Sequence, residues 1–311
     1  MYQSVASTVL MIKPKHFGYN PETAEDNQFM AKADQFATII HQTASKEHEN
    51  LAKLLRSNKI NVIIEEEADG TKKPDAIFPN WLSFHNSGKV VLYPFKAPSR
   101  RLERRMDIIE RMKEVYGFDY KQLIDYTSFE EQGKYLEGMG SLVLDRINRI
   151  AYSCLSQRTN KELVELFCKD FEFKPVTFRA EHQVNGTAHT FFYTNIIMSI
   201  GEKFVLVSSE LIPDTTEREN VLSNLKASGK DIIEVSPDQT RNFLANAINL
   251  KNSDGKNFLV MSRKAHGTLT PEQEKQLSNH AEILVSDVHT IENYGGGSIG
   301  NLVTPVFLPK N

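Results

Sequence analysis

The chain has 311 residues, a formal net charge of −3 and 40% hydrophobic residues, values typical of a globular protein. Its lysines and arginines are scattered, which excludes a concentrated basic surface for nucleic acid, and no apolar run reaches the roughly 18 to 20 residues of a membrane helix. Two cysteines and an N-terminus without a basic and apolar leader predict neither a disulfide framework nor a secretory signal, so we expect a cytoplasmic protein.

Helix patterns recur along the chain, each with apolar residues at helical spacing. They cover residues 28–56, 101–116, 160–170, 215–228 and 270–280. A stretch rich in branched apolar residues follows every helix and predicts a strand. These strands cover residues 60–65, 118–124, 174–180, 231–235 and 282–288. The chain is therefore expected to repeat one helix and strand unit.

In the first four units, the strand is followed by a predicted hairpin. The paired arms cover residues 81–84 and 89–95, 141–144 and 149–155, 194–200 and 204–209, and 247–250 and 257–262. The fifth unit ends in a single strand at residues 303–308, whereas the N-terminal strand at residues 8–12 has no helix before it. If the chain closes into a ring, the N-terminal strand supplies the missing arm and no sheet edge stays exposed.

Repetition at roughly 55 to 70 residues is typical of a ring or an array. We predict an α/β fold with pseudo-fivefold repeats, closed by the N-terminal strand and forming a single domain over residues 1–311. A doubly wound sheet is the main alternative, because helices and strands alternate there too. The predicted hairpins oppose it, as does the lack of a Gly-x-Gly-x-x-Gly run between an early strand and its helix.

Unusual polar and glycine-rich segments occupy the same place in several units. They are residues 74–80, residues 137–141, Tyr193-Thr194-Asn195, and the glycine run Gly295-Gly296-Gly297-Ser298-Ile299-Gly300-Asn301. Because glycine lets the main chain pass close to other groups, the last segment predicts a crowded loop. Equivalent positions of a ring converge on its axis, so these segments predict a central polar pocket.

Each candidate also has a simpler explanation. Glu137 beside two glycines could hold a cation or only turn the chain. Asn80 and Asn195 are more often turn or strand-end residues that bond local backbone, and Tyr193 suits core packing with a polar tip.

Several other polar residues are best explained without a site. We interpret the histidines beside hairpin turns, His85, His182 and His189, as surface residues. The arginines interleaved with acidic residues predict a solvated helix face rather than a phosphate site. They are Arg100, Arg101, Arg104, Arg105 and Arg111. Cys154 and Cys168 suit packing, and without His-x-x-x-His or Cys-x-x-Cys spacing we expect no metal.

Longer motifs carry a resemblance over nearly the full length. They are Val9-Leu10-Met11-Ile12-Lys13-Pro14, Asp75-Ala76-Ile77-Phe78-Pro79-Asn80-Trp81, Arg100 to Arg105, Glu137-Gly138-Met139-Gly140-Ser141, Tyr193-Thr194-Asn195 and Gly295-Gly296-Gly297-Ser298. With them the chain resembles the pentein superfamily of guanidine-modifying enzymes, most closely its citrulline hydrolase branch, also described as amidinotransferase or arginine deiminase-related. The resemblance implies a five-bladed α/β propeller and no cofactor.

The resemblance also implies a cysteine nucleophile, a histidine that moves protons, and carboxylates that hold the substrate nitrogens. In this chain Asn301 stands at the cysteine position, Tyr193 at the histidine position, and Gly300 at a position usually held by arginine. Glu137 is retained. The substrate-binding candidates are Glu137, Asn80, Asn195 and Asp75.

An amide is not a usable nucleophile, and a tyrosine with a pKa near its ordinary value of about 10 is a poor base at neutral pH. We therefore expect a catalytically degenerate protein whose central pocket binds a guanidino or ureido compound. One alternative is an active hydrolase or amidinotransferase-like enzyme that works without cysteine. Another is a protein-interaction module whose pocket has filled.

Overall fold

The strands form small sheets of one repeated connectivity in the computed structural model, which describes residues 3–184 and 187–310. The strands are β1 (Thr8–Lys13), β2 (Asn61–Glu66), β3 (Leu82–Phe84), β4 (Lys89–Leu92), β5 (Gln122–Asp125), β6 (Val143–Asp145), β7 (Ile150–Cys154), β8 (Lys174–Phe178), β9 (Glu181–Val184), β10 (Thr187–Thr190), β11 (Met198–Ile200), β12 (Phe204–Val207), β13 (Asp231–Glu234), β14 (Ile248–Lys251), β15 (Asn257–Ser262), β16 (Glu282–Ser286) and β17 (Thr304–Pro305).

Helices connect the strands, and most of the long ones lead into the last strand of a sheet. They are α1 (Pro21–Ala24), α2 (Ala37–Ser57), α3 (Pro98–Arg101), α4 (Met106–Glu114), α5 (Gly138–Ser141), α6 (Lys161–Phe171), α7 (Thr194–Ile197), α8 (Thr215–Ala227), α9 (Pro237–Arg241), α10 (Arg263–His266), α11 (Pro271–Ser278), α12 (His289–Gly295) and α13 (Ile299–Leu302). Two of them begin with a capping box, at Ser236 before α9 and at Thr270 before α11.

Five sheets have three strands each, in the orders β17-β1-β2, β3-β4-β5, β6-β7-β8, β11-β12-β13 and β14-β15-β16. In every one, the middle strand pairs antiparallel with one neighbour and parallel with the other. The N-terminal strand β1 pairs with β17, with Val9 opposite Pro305 and Leu10 opposite Thr304. It thus supplies the arm that the fifth unit lacks.

Apolar faces explain why the helices lie against the sheets. Helix α2 buries Ile40, Ala44, Leu51 and Leu55, which follow one another at four, seven and four residues, in one cluster with strand residues such as Val9. In each sheet, we call the outer strand that pairs antiparallel with the middle strand the first strand. The five first strands, β17, β3, β6, β11 and β14, border a cavity of about 140 Å³, which we call the central cavity. The five sheets therefore present equivalent strands to one common space.

Some predicted boundaries were wrong where the chain approaches this space. The strand predicted from residue 194 begins only at Met198, after the helical turn α7, and the strand predicted from residue 141 begins at Val143, after α5. The last strand, predicted over residues 303–308, is limited to Thr304–Pro305, shortly after α13. In α5 and α7, the buried hydroxyls of Ser141 and Thr194 bond other segments, and these contacts outweigh the strand propensity of the branched neighbours.

Other differences concern the ends of elements. The helix predicted over residues 28–56 begins at Ala37, and the helix predicted over residues 101–116 is split into α3 and α4. The strand predicted over residues 118–124 is observed at Gln122–Asp125. The pairing of β9 with β10 was not predicted, and the turn predicted at Asn185-Gly186, between His182 and His189, lies outside the described residues. In the described part of the chain, none of the helices combines the length and apolar character needed to cross a membrane.

Candidate functional site

The glycine run extends from the last residue of α12 into α13 and is held by Asn246. The Asn246 side-chain oxygen accepts from the backbone N–H of Ser298 at 3.1 Å, and its carbonyl accepts from that of Gly300 at 2.9 Å. Gly296 ends α12 with φ at 63°, a left-handed conformation that favours glycine. A Cβ at Gly296 would lie 2.3 Å from the Asn27 side chain, so the predicted crowded loop is observed.

A cavity of about 20 Å³ lies beside this run, and we call it the Asn301 cavity. Four sequence candidates from three distant segments line it: Asp75, Asn80, Tyr193 and Asn301. A space of about this size holds one water molecule and little more. The fold thus brings these four residues together, but around a space far smaller than a guanidino substrate.

Two other candidates lie elsewhere. Glu137 is fully buried and lies behind Tyr193, whose hydroxyl donates to its Oε2. Its Oε1 accepts from the backbone N–H of Lys96 at 2.9 Å. Asn195 lines the central cavity instead of the Asn301 cavity.

Glycines beside Glu137 set the geometry of this contact. Gly138 has φ at 51°, and a Cβ there would lie 2.0 Å from the carbonyl oxygen of Asn80. A Cβ at Gly140 would lie 2.7 Å from the Tyr193 ring. Close packing of α5 against two other segments therefore requires both glycines.

Tyr193 is 5% exposed and retains its proton. Burial raises the pKa of its hydroxyl above the ordinary value, and the nearby charge of Glu137 raises that pKa further. In this setting Tyr193 acts as a hydrogen-bond donor to Glu137, and it is not a base at neutral pH.

Arg100 occupies the centre of the site, which corrects its interpretation as part of a solvated face. It is 3% exposed, and its Nε and Nη2 each donate to Glu103 at 3.0 Å. Its Nη2 also donates to the carbonyl of Phe78 at 2.6 Å, and its Nη1 to the Tyr193 oxygen at 3.3 Å. Burial raises the pKa of Glu103, against the opposing effect of the Arg100 charge.

A second buried guanidinium belongs to Arg158, which also lines the Asn301 cavity. It donates to Asp26 and to the carbonyl of Thr23, the latter at 2.9 Å, and lies 3.6 Å from Glu137 Oε2. Its guanidinium lies 4.6 Å from the centre of the Phe192 ring. Glu137 therefore already faces a guanidinium group of the protein itself.

An N-terminal segment, residues 20–31, covers the site. Both Asn20 and Thr23 donate to Asp75 Oδ2, at 2.8 and 2.9 Å. Asn27 donates to the carbonyl of Gly296 at 3.4 Å, and Asp26 accepts from Lys96 Nζ at 2.7 Å. These contacts join the segment to three separate parts of the site.

Several buried polar atoms around the Asn301 cavity and the central cavity have no hydrogen-bond partner among the described residues. They are Asp75 Oδ1 and both side-chain amide atoms of Asn80, Asn195 and Asn301. The local backbone bonds considered for the Asn80 and Asn195 side chains are therefore not observed. Such atoms cost free energy unless water or another polar molecule contacts them.

The histidines were only partly interpreted correctly. His85 is buried and its Nε2 lies 2.7 Å from Ser83 Oγ, and His182 is buried against Phe191, so neither is a surface residue. His189 is exposed, as expected.

Cys154 and Cys168 are buried free thiols, consistent with packing. Within residues 3–184 and 187–310, no cluster of three or more His, Cys, Asp or Glu side chains is arranged for a metal.

Arg158, Asn246 and the burial of Arg100 were not predicted from the sequence. An arginine alternating with acidic residues gives the same pattern on a solvated helix as in a buried ion pair. Asn246 precedes a predicted hairpin arm at the same place in its unit as Asn80 does. That repeated position is the signal that could have identified Asn246 as a residue facing the site.

Comparisons with known proteins support the resemblance. Residues 13–308 match the family model described as "N,N dimethylarginine dimethylhydrolase, eukaryotic". A comparison with curated protein sequences gave no match.

Solved structures share the fold at low identity. ArgZ, an arginine dihydrolase from the ornithine-ammonia cycle in Cyanobacteria, has a TM-score of 0.70 at 15% identity, over 98% of this chain and 41% of ArgZ. The chain thus spans less than half of that relative. The N-terminal domain of ArgZ bound covalently to a reaction intermediate gives 0.67 at 17% identity, over 97% and 99% of the two chains.

A dimethylarginine dimethylaminohydrolase with a 4-chloro-2-hydroxymethylpyridine adduct gives a TM-score of 0.63 at 14% identity, over 98% and 99% of the two chains. At such identities the likeness concerns the fold, whereas the family model identifies the relationship. The chain therefore belongs to the arginine-modifying branch of the pentein superfamily, as a member of the family described as "N,N dimethylarginine dimethylhydrolase, eukaryotic".

Proposed function

We propose that this chain is a catalytically inactive member of the guanidine-modifying enzymes, in which arginines of the protein fill the substrate position. One observation carries the proposal: Arg100 and Arg158 line the Asn301 cavity and leave about 20 Å³. Each arginine is paired with a buried or largely buried carboxylate, Glu103 or Asp26. A guanidino substrate would have to displace an arginine side chain whose charge is already compensated by its carboxylate partner.

The chemistry at the two substituted positions supports the same proposal. Asn301 offers an amide in place of a thiolate, and Tyr193 retains its proton because of its burial and of Glu137. Glu137 accepts two hydrogen bonds and has no exposed surface, so it is poorly placed to activate water. An active hydrolase that uses Glu137 as its base therefore has less support.

A second candidate function is the binding of a small polar molecule in the Asn301 cavity. The unpartnered atoms of Asp75, Asn80 and Asn301 favour it, because a ligand there would satisfy them. The volume suits a molecule of the size of water or ammonia. A guanidino or ureido compound would require Arg100 or Arg158 to move.

We also propose that the five sheets close into a five-bladed propeller that forms one domain over residues 1–311. The pairing of β1 with β17 supports closure, and so does the common cavity bordered by the five first strands. A protein-interaction role would then use the outer surface, since the site itself is filled.

An activity assay tests the proposal. Purified protein incubated with arginine, citrulline, agmatine or methylarginines should release no ammonia or amine above a blank, while an active family member assayed in parallel does. The double variant Tyr193→His with Asn301→Cys should also stay inactive, because Arg100 and Arg158 remain in place. Measurable turnover by the unmodified protein would refute the proposal.

Gly300→Arg is unsuitable for such restoration. Even a Cβ at Gly300 would lie 3.1 Å from the carbonyl oxygen of Asn246, so the longer side chain would disturb the loop.

A further inference from the structure

The central cavity is separate from the Asn301 cavity and shares no lining residue with it among those described. Its walls are largely apolar, with Met139, Leu142, Met198, Ile200 and Phe307 among them. An apolar cavity of about 150 Å³ binds a molecule of benzene size, so about 140 Å³ suits a ligand of roughly six heavy atoms.

Arg146 carries the one full charge among the described residues that line this cavity. Its guanidinium lies 3.8 Å from the centre of the Phe307 ring and 3.4 Å from His85 Nδ1. Unlike Arg100 and Arg158, it forms no ion pair with a carboxylate in the described part of the chain. Burial lowers the pKa of Arg146 to about 10, so the group stays charged at neutral pH.

The contact with His85 fixes the hydrogen-bond direction of a short chain of side chains. An arginine N–H can only donate, so His85 Nδ1 accepts and the ring proton lies on Nε2. That Nε2–H donates to Ser83 Oγ, at 2.7 Å, and Ser83 Oγ lies 2.7 Å from Tyr93 Oη. The hydrogen bond between Ser83 and Tyr93 takes the hydrogen of one hydroxyl group. The hydrogen of the other hydroxyl group is left for an acceptor in the cavity.

Further unpartnered polar groups face the same space. Asn195 lines the central cavity with both amide atoms unpartnered, and Ser199 lines it with an unpartnered hydroxyl. With Arg146 and the spare hydroxyl of the Ser83 and Tyr93 pair, the polar lining is dominated by hydrogen-bond donors. A negatively charged acceptor would satisfy them.

We propose that the central cavity binds a small carboxylate with an apolar body, its carboxylate on Arg146 and its body against the apolar wall. The single cation in the lining balances one negative charge, whereas a phosphate dianion would leave a charge uncompensated in a largely apolar space. The planar guanidinium also matches the two oxygens of a carboxylate.

Calorimetric titration of the full chain with butyrate and with butyramide, at one ionic strength, tests this site. Butyrate should bind at least about thirtyfold more tightly than the neutral amide, because the amide leaves Arg146 without a counter-charge. Arg146→Met should weaken butyrate binding by a similar factor.

Arg263→Met is the matched control, since the Arg263 side chain is 70% exposed and should leave butyrate affinity unchanged. Equal binding of butyrate and butyramide, or no binding of butyrate, would each overturn the proposal. The comparison of the two ligands uses the unmodified protein, so it decides the matter even if Arg146→Met fails to fold.

Discussion

Arg158 is the side chain whose loss should most clearly reveal a filled site. Arg158→Ala would leave Asp26 and the fully buried Glu137 without their guanidinium neighbour. We expect the free energy of unfolding to fall by about 3 to 5 kcal/mol, as when one partner of a buried ion pair is removed. Millimolar methylguanidinium should then raise the melting temperature of this variant more than that of the unmodified protein.

The control for this rescue is Arg263→Ala. Arg263 forms an exposed ion pair with Asp287 at 3.6 Å, so its loss should cost about 1 kcal/mol or less and show no rescue. If methylguanidinium stabilises both variants equally, the Arg158 position is not a guanidinium site and the filled-pocket explanation loses its support.

The sequence predicted which segments meet at the site, but not which of their side chains fill it. Asp75, Asn80, Tyr193 and Asn301 were found because they stand at repeated or motif positions. Arg158 has no such mark, because its burial depends on contacts with Thr23 and Asp26, more than a hundred residues away. Long-range charge pairing of this kind leaves no local pattern in a single sequence.

His48 gives the protein a dependence on pH that arises outside the site. It is 2% exposed on α2, its Nε2 has no partner among the described residues, and burial together with Lys13 lowers its pKa to about 4. In the unfolded chain the pKa is about 6.5, so between these values the unfolded state binds more protons. The contribution of His48 to the free energy of unfolding is therefore fully present above about pH 6.5, and it is lost as the pH falls towards 4.

The expected loss from His48 is about 3 kcal/mol over that interval. His48→Leu should keep the packing of α2 and remove this part of the dependence. Urea unfolding at a series of pH values measures it, and parallel stability curves for the two proteins between pH 6.5 and 4 would contradict the assignment.

Short helical turns are the elements that place residues at the site. Helices α5, α7 and α13 have four residues each, and each precedes the first strand of a sheet. Thr194, which begins α7, accepts from the backbone N–H of Cys154 and donates to the carbonyl of Ser141, at 2.8 and 2.6 Å. Adjacent units are thus joined through these turns.

These turns are also the elements that the sequence patterns did not predict. The repeated order of helix, strand and hairpin was predicted, because amphipathic spacing and branched apolar runs are local properties. The helical turn α7, which contains Ile196 and Ile197, was not predicted. Bonds to other units override the strand propensity of these two residues.

Gly138→Ala tests the close packing of α5. A methyl group there would lie 2.0 Å from the carbonyl oxygen of Asn80, so backbone must move, and we expect a loss of roughly 4 kcal/mol or more. Gly117→Ala is the matched control, since its φ is also positive, at 69°, but no atom lies within 4 Å of the added carbon. That variant should lose only about 1 kcal/mol, from backbone strain alone. Equal losses in urea unfolding would show that the Asn80 contact is unimportant.

At the level of the whole protein, the five sheets are proposed to be one cooperative domain. The C-terminal residues tie distant parts together: Val306 donates its N–H to the carbonyl of Thr8, and the carbonyl of Pro309 accepts from Asp119. β1 therefore joins the first and last parts of the repeated array, since it pairs with β2 and with β17. Loss of packing in one sheet should then weaken all of them.

Trp81 allows this cooperativity to be measured, because it is the sole tryptophan and is buried beside β3. Its fluorescence reports on one sheet, whereas far-ultraviolet circular dichroism reports on the whole chain. Val260→Ala in β15 alters a different sheet and should cost about 2 kcal/mol, because it leaves a small cavity. In one domain, the urea midpoints from both signals coincide and fall together in the variant. If the Trp81 midpoint stays unchanged while the dichroism midpoint falls, the sheets unfold independently and the chain is not a single closed domain.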